Sequence, residues 1–144
     1  MDQIELFSPA SVANVSCGFD VLGFCLDHIG DIMQISKTKT TGITIGKVTG
    51  QNLPKDPSKN VASVAGLALL KETPSEFGFQ IDIDKKIKPG SGIGSSAASA
   101  AGAVFGINEL LGNPYTRKEL IRFAMVGEAI ASGAAHADNL APVL

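Results

Sequence analysis

One stretch restricts the fold of this chain more than any other: residues 89–108 carry no charged side chain and consist mostly of glycine, serine and alanine. The preceding residues, 77–84, alternate apolar and polar side chains, which is the period of two that a half-buried β-strand requires. Beyond the glycines, apolar residues recur at helical spacing from Ala97 to Leu111, and Gly112 ends the pattern. The sequence therefore predicts a strand, a loop of small residues and a helix in direct succession.

The remainder of the chain predicts further strands and helices around this unit. Short segments rich in β-branched or apolar residues predict strands at 4–7, 20–26, 31–36 and 43–48. Helical spacing of apolar residues predicts one helix over 60–71. A last helix opens at Thr116, where Glu119 completes a capping box, and it runs to about Ser132. The predicted fold class is α+β, with a mixed or antiparallel sheet packed against helices.

The composition is that of a folded protein without a nucleic-acid partner. Hydrophobic residues make up 44% of the 144 residues and charged residues 18%, which is too apolar for a disordered chain. Twelve basic and fourteen acidic side chains give a net charge of -2, and no basic block is present to neutralise a phosphate backbone. Cys17 and Cys25 have no second pair, so we expect free, reduced thiols and neither a disulfide framework nor a zinc site.

Neither a membrane span nor an export signal is expected. Gly102 and Gly106 match the spacing of a membrane-helix dimer motif, but the surrounding residues include too few large apolar side chains to gain enough from lipid. Residues 1–5 contain acids where a signal peptide needs a basic start and an apolar run. These features predict a cytoplasmic protein.

The glycine loop is the first candidate for chemistry. Small residues leave backbone amides bare at the positive end of a helix, and such a site binds anions. The hydroxyls of Ser95 and Ser96 can cap the helix, bond a phosphate oxygen or ligate magnesium. A purely structural turn with a serine cap is the alternative interpretation.

Two common phosphate motifs fit this loop poorly. The loop of the nucleoside triphosphatases requires Gly-Lys followed by Ser or Thr, and the chain has Gly-Lys only in Gly46-Lys47-Val48, in a predicted strand. The dinucleotide fingerprint is matched in relaxed form over residues 92–97, but it requires an apolar first strand and an acid on the next strand about 20 residues later. Here the first strand alternates, and Glu109 falls inside the following helix.

Glu128 is the second candidate, because it is the only formally charged residue between Phe123 and Ala137. Its spacing from the preceding apolar residues places it on the apolar stripe of the last predicted helix. A carboxylate at such a position is costly to desolvate unless a cation meets it. Magnesium, arginine or lysine would provide that positive charge. The alternative is a carboxylate at the rim of the core, paired with a surface cation such as Arg117.

Two further groups of polar residues are weaker candidates. His136, Asp138 and Asn139 bring an imidazole, a carboxylate and a carboxamide close together in the chain, where they could position a small polar substrate. Near the start, Asn14 and Asp20 stand among small and apolar residues. By composition alone, these would be turn residues.

Together these segments resemble one family. Residues 9–20 have a Pro-Ala-x-x-Ala-Asn opening and a Gly-Phe-Asp close, residues 89–98 contain the glycine loop, and residues 136–142 read His-x-Asp-Asn-x-Ala-Pro. In this order they resemble the first two signature motifs and the substrate segment of the GHMP kinases, most closely the homoserine kinases among them. Ser16, where many members have glycine, and Ile93, where leucine is usual, depart mildly from the pattern.

The resemblance implies a fold, a reaction and its partners. Residues 1–144 would form the N-terminal, ATP-binding domain of a GHMP kinase, an α+β domain like that of ribosomal protein S5. The homoserine kinases phosphorylate the side-chain hydroxyl of L-homoserine with ATP and Mg²⁺, and the product, O-phospho-L-homoserine, belongs to threonine biosynthesis. The implied partners are therefore homoserine and ATP.

The resemblance also implies roles for individual residues. Those implied for ATP binding are Asn60, Pro89, Gly90, Ser91, Gly92, Ile93, Gly94, Ser95 and Ser96. Those implied as magnesium ligands are Ser96 and Glu128. Those implied around homoserine are Asn14, Asp20, His136, Asp138 and Asn139. Asn139 would lie near the reacting hydroxyl and Asp138 is a candidate base, so these two are the predicted catalytic residues.

A third glycine-rich motif, which the family carries in the second half of its chains, has no match in this sequence. We therefore expect an N-terminal part of such a kinase, with little kinase activity of its own. We also expect it to self-associate, for example as a homodimer, through uncovered apolar surface. Two other functions stay open: a GHMP kinase for another alcohol, such as mevalonate or galactose, and a nonenzymatic anion-binding module.

Overall fold

The protein is a four-stranded sheet with helices packed on one face, in a computed structural model that describes residues 1–133 and 136–144. The strands are β1 (Gln3–Val15), β2 (Gly18–Thr38), β3 (Ile43–Thr49) and β4 (Gly78–Asp84). The helices are α1 (Val61–Glu72), α2 (Ser95–Leu110), α3 (Arg117–Ser132) and α4 (Leu140–Val143). The strand order is β1-β2-β4-β3, antiparallel except for the parallel pair β3–β4. The predicted α+β class with a mixed sheet is confirmed.

The first two strands form one long hairpin where the sequence predicts three short strands. β2 runs unbroken through Gly30, which pairs with Pro9, so the predicted strands 20–26 and 31–36 are one strand. β1 continues past residue 7 and accommodates Pro9, because an edge strand has one side without ladder hydrogen bonds. The register shifts between Pro9 and Ser11, because two steps along β1 match five steps along β2, from Gly30 to Cys25. The hairpin thus carries Asn14 well beyond the rest of the sheet.

Helix α2 packs against the sheet across an interface that requires small residues. A side-chain carbon added at Gly102 would lie 2.5 Å from Met33 Sδ, and one added at Gly106 would lie 2.5 Å from Ile35 Cδ1. The spacing that resembles a membrane-helix motif therefore serves close packing of α2 on β2. Among the helices of the described residues, none combines the length and apolar character that a membrane crossing requires.

The other predicted elements are confirmed with small shifts of their ends. The alternation in β4 buries its phenylalanine and isoleucines, while the polar residues between them are only partly buried. α1 begins after Asn60, and α3 begins after Thr116 with the predicted capping box to Glu119. The single turn α4 is not predicted from the sequence, because four residues are too few to show a period. Its Leu140 is fully buried and belongs to the core.

Candidate functional site

A cleft of about 530 Å³ lies between the glycine loop, the starts of α1 and α2, and the end of α3. The predicted site residues that line it are Asn14, Asn60, Pro89, Gly90, Ser91, Gly92, Gly94, Ser95, Ser96, Glu128 and Asn139. These residues come from segments spread over nearly the whole chain. The fold therefore gathers most of the predicted site around one cavity.

The glycine loop leads into a helix whose first turn has no side-chain cap. Gly94 is the N-cap residue, with φ +64°, and it makes no side-chain cap bond to the first amides of α2. The hydroxyl of Ser95 donates to the carbonyl of Ile87 at 3.0 Å, which stabilises the loop. Within residues 1–133 and 136–144, the serine cap considered as an alternative is therefore not seen. Uncapped amides at the positive end of a helix, next to a cleft, form an anion-binding site.

Ser96 and Glu128 meet where α2 packs against α3. Ser96 Oγ donates to Glu128 Oε1 at 2.9 Å. Burial raises the pKa of Glu128 above its usual value, and the nearby Asp138 raises it further, although the hydrogen bond from Ser96 opposes the shift. Arg117 is not the partner of Glu128, because it lies at the opposite end of α3 and donates to the carbonyl of Leu144 at 2.9 Å. A cation in the cleft would therefore stabilise the Glu128 carboxylate.

The residues present fit a magnesium ion that is shared with a phosphorylated ligand. Ser96 Oγ and Glu128 Oε1 lie 2.9 Å apart, close enough for one cation to contact both oxygens. No group of three or more His, Cys, Asp or Glu side chains that could hold a metal exists within residues 1–133 and 136–144. One carboxylate and one hydroxyl suit Mg²⁺, which proteins commonly hold with few side chains together with substrate phosphates.

Beneath the glycine loop lies a buried ion pair that the sequence analysis does not single out. Lys85 and Asp31 are 1% and 0% exposed, and Lys85 Nζ donates to Asp31 Oδ2 at 2.5 Å. The same ammonium donates to the carbonyl of Ser95 at 2.6 Å and to Ser99 Oγ at 2.9 Å. Burial lowers the pKa of Lys85, and Asp31 opposes that shift. The network ties β2 to the first turn of α2 and places a positive charge beside the cleft.

A sequence signal for Lys85 does exist. Residues 79, 81 and 83 point into the core, and continuing the period of two puts residues 85 and 87 on the same buried face. Lys85 and Ile87 are indeed buried. The basic run at 85–88 makes this alternation of buried and exposed positions hard to recognise, because clustered lysines usually belong to a solvated surface.

Some predicted site residues do not line the cleft. Ile93 packs in a small apolar cluster, and the exposed His136 lies outside the cleft. Asp138 is buried beside a separate pocket, where its Oδ1 accepts the N–H of Asn139 at 3.0 Å. Asp138 and His136 nevertheless lie near enough to the cleft to shift the pKa of Glu128, the first upward and the second downward. The side chain of Asp20 lies outside what the structure describes.

At the other end of the cleft, Asn60 has a side chain that is already engaged. Its Oδ1 accepts the N–H of Ala62 at 3.0 Å, and its Nδ2 donates to the carbonyl of Pro54 at 2.7 Å. Asn60 therefore shapes this wall by capping α1 and holding the preceding loop. The exposed Lys59, 3.8 Å from Asp56, adds a cation at the rim. A lone surface lysine gives no signal in the sequence by which to find it.

This chain is similar to proteins of one family. Residues 59–144 match the GHMP kinases N terminal domain. The homoserine kinase of Xylella fastidiosa strain M12 is 43% identical over 143 residues, which cover 98% of this chain and 44% of that protein. The crystal structure of homoserine kinase from Cytophaga hutchinsonii matches with a TM-score of 0.92 at 49% identity, over 99% of this chain and 46% of that one.

The mevalonate kinase structure from Methanococcus jannaschii shares the fold, with a TM-score of 0.75 at 18% identity, over 98% of this chain and 50% of that one. The chain spans about half the length, or slightly less, of the relatives it matches. The family match covers more than half of the chain, and it includes the glycine loop, Glu128 and Asn139. This chain therefore belongs to the GHMP kinase family.

Proposed function

We propose that the protein is an ATP-dependent kinase that phosphorylates the side-chain hydroxyl of L-homoserine, and that this chain supplies its nucleotide-binding part. The observation that carries the proposal is the uncapped first turn of α2 at the cleft, with Ser96 and Glu128 beside it. Phosphoryl transfer requires alignment of the reactants and neutralisation of charge more than covalent chemistry by the protein. Anion-binding amides beside a site for a divalent cation meet both requirements.

The nucleotide phosphates would lie against residues 90–96, where backbone amides and the helix dipole favour negative charge. Mg²⁺, held by Ser96 and Glu128, would neutralise charge on the phosphate oxygens when bound. Lys85, buried in a pair with Asp31, donates to the carbonyl of Ser95 and so helps to fix the first turn of α2. Lys59 at the rim would approach the nucleotide from the solvent side.

Asn14 and Asn139 are the residues of the proposed homoserine site that border the cleft. We assign Asn139 to the neighbourhood of the reacting hydroxyl. Asp138 is the proposed candidate base and part of the homoserine site, and its Oδ1 also accepts the N–H of Asn139, which holds that backbone in place. Asp20 and His136 complete the proposed set for the amino and carboxylate ends of the substrate.

Homoserine is preferred to other alcohols because the likeness to homoserine kinases is 43% to 49% identity, against 18% for a mevalonate kinase of similar fold. A nonenzymatic anion-binding module would need the uncapped turn but would have no use for Glu128, whose burial raises its pKa. A place in threonine biosynthesis and a cytoplasmic location belong to the same proposal. Self-association as a homodimer stays a prediction.

The experiment is a substrate comparison with the full-length protein, expressed from its complete coding sequence. ADP release would be measured with homoserine, mevalonate and galactose at saturating ATP and magnesium, and the product identified by phosphorus NMR. We expect one O-phosphohomoserine per ADP and a kcat/KM for homoserine roughly 100-fold or more above that for the other alcohols. Faster turnover of another alcohol, or of none, would contradict the proposal.

A further inference from the structure

Ser11 is a fully buried residue of β1 that connects the glycine loop with Asn139. Its Oγ donates to Asn139 Oδ1 at 2.9 Å, and its backbone N–H donates to the carbonyl of Ile93 at 3.2 Å. One residue therefore contacts both the loop proposed for the phosphates and the side chain proposed for the reacting hydroxyl. Ser11 carries no charge and is not one of the fixed positions of a local motif, so the sequence alone indicates no role for it.

A glycine next to an irregularity of β1 accompanies these contacts. The register of β1 against β2 shifts between Pro9 and Ser11, and at this point the Ser11 N–H donates to the loop. Gly94 lies directly against the pair: a side-chain carbon there would be 2.2 Å from Ser11 Oγ and 3.1 Å from Asn139 Oδ1. The loop, Ser11 and Asn139 thus form one packed contact in which a small shift of any member moves the others.

We propose that Ser11 is a positioning residue, whose hydroxyl fixes the orientation of the Asn139 carboxamide relative to the glycine loop. The inference rests on the function proposed above. The hydroxyl donates to Oδ1, which holds the carboxamide in one place against the glycine loop with its NH₂ group turned away from Ser11. Without that bond the carboxamide is free to rotate about its side-chain torsions, and its NH₂ group loses a fixed position relative to the loop.

The proposal predicts a specific pattern of kinetic losses in the full-length protein. Ser11→Ala removes the hydroxyl but keeps the backbone bond to Ile93, so the Kd of magnesium–ATP stays within about twofold while kcat with homoserine falls about tenfold, as for one lost hydrogen bond. Ser11→Thr keeps a hydroxyl and recovers most of that loss. Ser8→Ala is the matched control, because Ser8 is also buried in β1 and donates to the carbonyl of Ala98 at 2.7 Å, outside the cleft. It leaves kcat unchanged.

A double-mutant cycle separates positioning from a general structural effect. We expect the roughly tenfold effect of Ser11→Ala to shrink below about twofold in an Asn139→Ala background, because Ser11 acts through Asn139. Equal effects of Ser11→Ala and Ser8→Ala, or an undiminished effect without Asn139, would overturn the proposal. If Ser11→Ala does not fold, Ser11→Cys takes its place, since a thiol is a weak donor.

The side-chain amide NMR signals of Asn139, assigned with Asn139→Ala, test the inference without any turnover. We expect one sharp pair in the wild type and in Ser8→Ala, and a shifted or exchange-broadened pair in Ser11→Ala. Identical spectra for Ser11→Ala and the wild type would overturn the positioning role. A wild type that phosphorylates another alcohol or none would overturn the proposed function alone, because the NMR comparison does not depend on the substrate.

Discussion

Ser96 Oγ and Glu128 Oε1 lie 2.9 Å apart, joined by a hydrogen bond between α2 and α3. The two residues are 32 positions apart in the chain and meet only because the helices pack side by side. The contact holds a hydroxyl oxygen and a carboxylate oxygen side by side at the start of α2, close enough for one cation to contact both.

Removing the Glu128 carboxylate should abolish magnesium-dependent turnover while leaving the fold intact. For Glu128→Ala in the full-length protein, we expect kcat/KM to fall roughly 100-fold or more, because the proposed metal ligand is then lost. A steady-state assay over a magnesium titration, with circular dichroism as the check on folding, measures the effect. Glu72→Gln is the control, since Glu72 pairs with Arg122 on the surface. Unchanged activity at saturating magnesium would rule out the role.

The raised pKa of Glu128 also predicts a pH dependence of stability in the metal-free protein. The unfolded chain loses this proton near pH 4.5, before the folded protein does, so the folded state is progressively disfavoured as the pH rises from 4.5 through the raised pKa. Glu128→Gln carries no such proton. Its free energy of unfolding should therefore increase relative to the wild type over that window and level off above it. Urea denaturation between pH 4 and pH 8 tests this, and a difference that shrinks with rising pH would contradict it.

Gly94 should be far less tolerant of a side chain than a glycine of similar backbone angle elsewhere. Gly94→Ala places a carbon 2.2 Å from Ser11 Oγ at φ +64°, whereas Gly112→Ala, at φ +88°, meets nothing within 4 Å. Gly112→Ala should lower the free energy of unfolding by only about 1 kcal/mol, through backbone strain. Gly94→Ala should lower it by more and should also bind ATP more weakly. Thermal denaturation and ATP titration of both variants make the comparison, and equal losses would contradict the packing described here.

Lys85 should contribute far more to stability than an exposed basic residue such as Arg122. Lys85→Met leaves Asp31 buried without its cation, which typically costs about 3–5 kcal/mol. Adding Asp31→Asn should recover part of that loss, because the unpaired charge is then gone. Arg122→Ala, which breaks an exposed pair with Glu72, should cost about 1 kcal/mol or less. Urea denaturation gives the free energy of unfolding of each variant. Similar losses of that free energy in Lys85→Met and Arg122→Ala would contradict the prediction.

Unusual short segments of the sequence predicted those parts of the site that a single segment forms. A loop with alternate glycines and a lone carboxylate on an apolar helix stripe are visible without any structure, and both line the cleft. Contacts between distant residues were not predictable in this way. Lys85 and Asp31 are 54 residues apart, and Ser11 and Asn139 are 128 apart. Only the sheet order and the hairpin bring such pairs together.

Residues adjacent in sequence can line different pockets, so a short motif does not determine where each of its side chains lies. Asn139 borders the cleft, whereas the adjacent Asp138 faces a separate pocket. Gly30 is a residue type that often breaks a strand, yet β2 continues through it. Gly30 pairs with Pro9 of β1, and β1 pairs with β2 again at Ser11 in a shifted register. In both cases tertiary packing decides what local sequence leaves open.

Calorimetric titration of ATP into the full-length protein, with and without magnesium, tests whether the uncapped turn of α2 binds the phosphates while Ser96 and Glu128 hold the metal. The proteins compared are the wild type and Glu128→Gln. We predict that magnesium tightens ATP binding to the wild type about tenfold or more, that Glu128→Gln loses this gain, and that both bind metal-free ATP alike. Equal ATP affinity of the wild type with and without magnesium, or a gain that survives in Glu128→Gln, would contradict it.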